Sequence, residues 1–187
     1  MLDTVRQLAD AGVSLLQYRD KRPDKAVVLR AAEQVRDTLA PFRCRLILND
    51  HADLAARIAA DGVHLGQTDT SLSEARQILG PDRIIGLSTH NRAQIKYGTQ
   101  SCADYLAIGP VWITSTKRDA DSPVGLSGVA EARSLTSKPL VAIGGIKHRN
   151  AQSVLDAGAD SIAIVSALLP PGVRPGQAAH DLLQLLR

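Results

Sequence analysis

Apolar residues recur along this chain in two alternating rhythms: short unbroken runs, and longer stretches in which they return every three or four positions. The short runs, at 13–18, 46–48, 62–65, 84–87, 105–108, 140–143 and 161–165, read as strands, and most of them end on glycine, asparagine, aspartate or serine. The helical spacing falls between them. It predicts helices at 2–11, 23–39, 52–60, 71–79, 91–100, 127–135 and 149–157, and a last one to 187 in which Leu182, Leu183, Leu185 and Leu186 recur. Pro23-Asp24 open the second of these, Ser71 with Glu74 three residues on forms a capping box, and Asn91 can cap the next helix. Gly12 and Gly158 are stop signals.

Strict alternation of seven strands with eight helices predicts a parallel sheet, and short helices between every pair of strands favour a closed barrel over an open doubly wound sheet. The expected fold is therefore α/β, a (β/α)8 TIM barrel forming one domain over 1–187. Because the chain starts on a helix, the first of the eight strands is missing from it. The expectation is that this strand lies upstream of Met1, within roughly twenty further residues that include a strand of the usual ~5 or 6.

Composition narrows the function classes. The 187 residues suffice for a sizeable core, the net charge of +3 is dispersed, and Trp112 and Phe42 are the only tryptophan and phenylalanine. A nucleic-acid stripe with stacking aromatics is therefore not expected. Neither a secretory leader nor an apolar run of membrane-spanning length is visible, so the expectation is a cytoplasmic protein with no membrane partner. Cys44 and Cys102 lie outside metal-ligand spacing and are expected to be reduced core residues.

Polar clusters fall at the strand ends, where loops of parallel α/β folds converge on one face. After the first strand come Gln17, Arg19 and Lys21, with Arg19 and Lys21 at alternate positions, a pattern suited to clamping an anion. Asn49-Asp50 and Asp69 end the next two strands. Two carboxylates on adjacent strand ends offer the hard oxygen ligands that Mg²⁺ prefers, although each could instead cap the helix that follows. Ser88 and His90 follow the fourth strand, the first a hydroxyl donor to phosphate and the second a candidate proton carrier. His64 is expected to be packed within its strand, and His148 and His180 to lie on the surface. Beyond Gly109-Pro110, the loop residues Thr114, Ser115, Thr116 and Lys117 combine hydroxyls with an ammonium and suit a phosphate or diphosphate. Gly144-Gly145 and Ser166, after the last two strands, let backbone N–H groups approach an anion closely.

In order and spacing, the runs 17–21, 49–50, 61–69, 86–90, 104–117 and 143–146 resemble thiamine-phosphate synthases. That resemblance implies a barrel that joins a hydroxymethylpyrimidine diphosphate to a thiazole phosphate and releases diphosphate. It implies that Gln17, Arg19 and Lys21 hold the pyrimidine diphosphate beside Asn49, Ser88 and Lys117, with Tyr18 and Asp20 in the same segment. Arg19, Lys21, Ser88 and Lys117 would stabilise the leaving group, and Asp50 and Asp69 would hold Mg²⁺. Thr114, Ser115, Thr116, Gly145, Val165 and Ser166 would hold the thiazole phosphate. The implied partners are small molecules, with a homo-oligomer left open. Two rival readings remain: a thiazole tautomerase of the same family that uses His90, and a phosphate-binding protein without catalysis.

Overall fold

The computed structural model describes residues 1–114, 116 and 121–185. Among them run eight α-helices and seven strands in alternation: α1 (Leu2–Asp10), β1 (Leu15–Tyr18), α2 (Lys25–Leu39), β2 (Arg45–Asn49), α3 (Ala52–Arg57), β3 (Gly62–Leu65), α4 (Leu72–Leu79), β4 (Ile84–Thr89), α5 (Arg92–Gln100), β5 (Tyr105–Ile108), α6 (Gly125–Leu135), β6 (Leu140–Ile143), α7 (His148–Asp156), β7 (Ser161–Ala163) and α8 (Pro175–Leu185). A short 3-10 helix, Ser166–Leu168, follows β7. Every strand pairs in parallel with its sequence neighbour, so the sheet order is the chain order. Strand β7 is shorter than the apolar run 161–165 suggests, because the chain turns into the 3-10 helix at Ser166.

Local chemistry starts the helices where the sequence signals it. Asp24 accepts the N–H groups of Ala26 and Val27 at 2.8 and 3.4 Å, Ser71 that of Glu74 at 3.3 Å, and Asn91 that of Gln94 at 3.0 Å. Apolar helix faces then cover the sheet, and Ile47, Leu48, Val63, Leu65, Ile85, Leu106 and Leu140 are almost fully buried. Each such side chain contributes roughly 1.5–3 kcal/mol by leaving water. Cys44 belongs to this core, whereas Cys102, expected there too, is exposed. It sits in the turn after α5, and the buried position is taken by its neighbour Ala103.

Burial is uneven along the sheet. Strand β3 is buried throughout, while β1 alternates between exposed and half-buried, with Leu15 40 % exposed, and β7 has no buried residue. Among the described residues β1 pairs only with β2 and β7 only with β6. The helices nevertheless meet around the two ends of the sheet: α1 packs against both α2 and α8, and Gly176 donates its N–H to Gln7 Oε1 at 3.4 Å.

The amino-terminal rim carries a repeated device. An Ala-Asp pair precedes β3, β5 and β7 as Ala60-Asp61, Ala103-Asp104 and Ala159-Asp160. In each case one aspartate closes a ring with a single residue of the preceding strand. Asp61 accepts the Leu46 N–H at 2.7 Å and donates its own to the Leu46 carbonyl at 3.0 Å. Asp104 does the same with Ile85, at 2.7 Å both ways, and Asp160 with Leu140, at 2.8 and 2.9 Å. Arg76 and Arg133 donate to Asp104 and Asp160 at 2.6 and 2.7 Å, and Lys138 donates to the carbonyls of Gly98, Ser101 and Ala103. Every charge in this device therefore has a partner.

Candidate active site

At the opposite rim, parallel pairing sets the ends of β1 to β4 side by side. Lys21, three residues past β1, forms an ion pair with Asp50 just past β2. The backbone of Asp50 is left-handed at φ 66°, a conformation aspartate tolerates at some cost, and its N–H donates to the His64 carbonyl at 2.9 Å. Asp69, past β3, accepts the Gly66 N–H at 2.7 Å. Neither carboxylate caps a helix: His51 and Ser71 occupy those positions.

Asp50 and Asp69 lie close enough to shift each other's pKa. Burial works to raise the Asp50 pKa, but the hydrogen bond from the Lys21 ammonium, aided by that from Asp69, holds it below its ordinary value. Burial first, and then the neighbouring Asp50 charge, raise the pKa of Asp69 against the lowering effect of the Gly66 N–H. Two hard oxygen donors set side by side fit a divalent ion that takes its remaining ligands from water and phosphate. Among the described residues no group of three or more His, Cys, Asp or Glu forms a ready-made metal cage. The donor set therefore suits Mg²⁺ held partly by substrate.

Below this pair lies a buried polar row that the strand-end reading of the sequence missed. His64 on β3, Gly86 on β4 and Tyr105 on β5 occupy one register row. His64 Nδ1 is 2.8 Å from the Tyr105 hydroxyl, and its Nε2 is 2.8 Å from Ser88 Oγ. A Cβ at position 86 would lie 2.1 Å from the Tyr105 ring, so glycine is what lets the tyrosine cross β4. Gln67 Nε2 donates to the Ser88 carbonyl at 2.6 Å. The one available signal was Gly86 inside a strand, which marks a close approach.

Tyr18 and Asp20 do not join this cluster. The Tyr18 hydroxyl donates to Asp20 at 2.7 Å, and Asp20 also accepts from the Arg22 N–H and guanidinium at about 3 Å. Arg22 beside it holds the Asp20 carboxyl well below the usual carboxylate range. The result is a local brace across the segment that carries Arg19 and Lys21, both exposed. Asn49 is half-buried at the end of β2, opposite His64 in register.

On the far side, the loop after β5 is stitched to the end of β6. Val111 and Trp112 donate their N–H groups to the carbonyls of Ile143 and Gly144 at 2.9 and 3.1 Å. Gly145 has φ 67°, and a Cβ there would lie 2.7 Å from Trp112 and 2.9 Å from the Ile113 carbonyl, so the two loops close over glycine. Thr114 Oγ1 accepts the Thr116 N–H at 3.3 Å, and Val165 and Ser166 are exposed beyond β7. Ser115 and Lys117 lie outside the described residues.

His90 is turned away from these groups. Its Nδ1 lies 2.5 Å from the Gly109 carbonyl and its Nε2 3.4 Å from Asp121, beside a cavity of about 330 Å³ between α5 and α6.

A parallel sheet whose carboxyl rim gathers a carboxylate pair, an ammonium, a serine hydroxyl and glycine loops defines an α/β protein that handles phosphate-bearing small molecules. Similarity points the same way. The family model for thiamine monophosphate synthase matches residues 1–168. The thiamine-phosphate synthase of Koribacter versatilis (strain Ellin345) is 46% identical over 181 residues, spanning 97% of this chain and 84% of that relative. That of Synechococcus sp. (strain CC9311) is 46% identical over 186 residues, and the chain spans 52% of its length. Among solved structures, thiamine phosphate pyrophosphorylase from Pyrococcus furiosus superposes with a TM-score of 0.90 at 30% identity, covering 99% of this chain and 88% of that one. The chain belongs to the thiamine monophosphate synthase family.

Proposed function

We propose that the protein condenses a hydroxymethylpyrimidine diphosphate with a thiazole phosphate to give thiamine phosphate and diphosphate. The observation that carries this reading is the carboxylate pair Asp50 and Asp69, set beside Lys21 and one strand away from Ser88. In the reaction the bond from the pyrimidine methylene carbon to diphosphate breaks and its electron pair leaves with diphosphate. The thiazole nitrogen lone pair then forms the new carbon–nitrogen bond. The electron-rich aminopyrimidine bears the developing cation, so the displacement is dissociative and no strong base is needed.

The work left to the protein is charge stabilisation and positioning. Arg19, Lys21 and Lys117 neutralise the departing diphosphate, Ser88 donates to it, and Gln17 and Asn49 orient the pyrimidine end. Mg²⁺, held by Asp50 and Asp69, would supply Lewis-acid stabilisation of the same oxygens. Thr114, Ser115, Thr116, Gly145, Val165 and Ser166 hold the thiazole phosphate on the other side of the rim, which brings nitrogen and carbon together. Tyr18 and Asp20 serve by bracing the segment that carries Arg19 and Lys21. We read 1–187 as one domain of a (β/α)8 barrel, supported by the contact of α1 with both α2 and α8.

Purified protein incubated with both substrates and Mg²⁺ should release thiamine phosphate and diphosphate in equal amounts. Absence of product at saturating substrates and Mg²⁺ would overturn the reading. Proton transfer by His90, as in a tautomerase, is disfavoured because both its ring nitrogens face protein groups, the Gly109 carbonyl and Asp121.

A further inference from the structure

His64, Ser88 and Tyr105 come from three different strands and form one hydrogen-bonded chain beneath the carboxyl rim. His64 is 7% exposed and has no charged partner at hydrogen-bonding distance, so burial keeps its ring neutral, with one N–H and one lone pair. Burial likewise keeps the proton on Tyr105.

Donor counting then leaves two polarities. In the first, Tyr105 donates to His64 Nδ1, and His64 Nε2–H donates to Ser88 Oγ. The Ser88 proton is then free to point at the rim. In the second, Ser88 spends its proton on Nε2, and His64 Nδ1–H donates to Tyr105. Only the lone pairs of Ser88 then face the rim, and these repel an anion. Gly86 makes the chain possible, since any side chain there would collide with the Tyr105 ring.

We propose that His64 and Tyr105 are positioning residues that hold the Ser88 hydroxyl as a donor toward a diphosphate at the rim, through a buried hydrogen-bond chain of fixed polarity. The assignment rests on the function proposed above, because it takes diphosphate as the anion at Ser88. Anion binding and the His64 tautomer are coupled as a result: whatever removes the Tyr105 hydroxyl releases the tautomer and weakens the anion. The cost of misdirecting one hydrogen bond to a charged group is about tenfold in affinity.

The test is ¹⁵N NMR of the His64 ring in the full chain, with inorganic diphosphate and Mg²⁺ as the probe, alongside steady-state kinetics. The expected result is a protonated Nε2 and an unprotonated Nδ1 when diphosphate is bound. Tyr105→Phe should then show a mixed tautomer and an about tenfold higher KM for the pyrimidine diphosphate, with kcat little changed. If Tyr105→Phe does not fold, Ser88→Ala provides the second reading, and added diphosphate should no longer move the His64 signals. A proton on Nδ1 with diphosphate bound overturns the proposal even if the enzyme turns over normally. A tautomer that responds to diphosphate in a protein without synthase activity supports the chain and sinks only the proposed reaction.

Discussion

The two rims of the sheet use carboxylates in opposite ways. At the amino rim Asp61, Asp104 and Asp160 each take a backbone N–H from the strand before them, and the latter two take an arginine as well. At the carboxyl rim Asp50 and Asp69 act on one another, and the Asp50 charge helps raise the pKa of Asp69. Paired with backbone, a carboxylate holds strands in register and has little left to offer a ligand. Facing another carboxylate, it costs stability, and a binding role is the reason to keep it. The contrast assigns architecture to one end of the sheet and chemistry to the other, as parallel α/β folds commonly do.

The strongest way to break this comparison is to remove one member of the carboxyl pair. Asp69→Ala or Asp50→Ala should lower Mg²⁺-dependent turnover by several orders of magnitude, since the cation loses half of its protein ligands. Melting temperature should change little, because each substitution also relieves a like-charge contact. Full turnover of Asp69→Ala at ordinary Mg²⁺ would remove the metal assignment.

Next in size comes the buried histidine between the rims. Burial pushes the His64 pKa from 6.5 down to about 4. The unfolded chain therefore binds this proton from about pH 6.5 downward, and the folded chain only near pH 4. Stability from this group is full above pH 6.5 and is lost as the pH falls to about 4, by about 3 kcal/mol in total. Denaturant titrations of the wild type and of His64→Gln over that range should separate the contribution. Equal pH slopes for the two proteins would contradict a buried neutral ring.

The amino rim answers with stability alone. Asp104→Ala strips the acceptor from the Ile85 N–H and from Arg76, at a cost of about 2 kcal/mol once the partial exposure of the pair is allowed for. For a chain of this size that is a fall in melting temperature of about 4–8 °C. The kcat of the folded variant should match the wild type. A fall in kcat larger than the fall in folded fraction would show that the two rims are coupled.

How much of this was legible in the sequence follows from the range of each interaction. Caps at Asp24, Ser71 and Asn91 act over two or three residues, so they could be read directly, as could the strand-to-helix rhythm. Asp50 and Asp69 could be placed on neighbouring strand ends because parallel order equals chain order. Whether they capped helices or faced each other depended on the left-handed backbone at Asp50, which no local pattern announces. The row His64, Gly86, Tyr105 was hidden because a register spanning three strands has no sequence period. Each Ala-Asp pair before an odd-numbered strand was visible, but its meaning required knowing which backbone N–H stood opposite.

The smallest effect belongs to a residue on the functional rim that does only structural work. Ser71 stands two positions past Asp69, on the same rim as Ser88. Its hydroxyl, however, accepts the Glu74 N–H at 3.3 Å and lies 3.2 Å from Ser73 Oγ, so it satisfies the first turn of α4. Ser71→Ala should cost about 1 kcal/mol, the usual worth of an N-cap, and lower the melting temperature by about 2–4 °C. KM for either substrate and the Mg²⁺ requirement should stay at wild-type values. A rise in KM without loss of stability would move Ser71 from the frame of the rim into its binding surface.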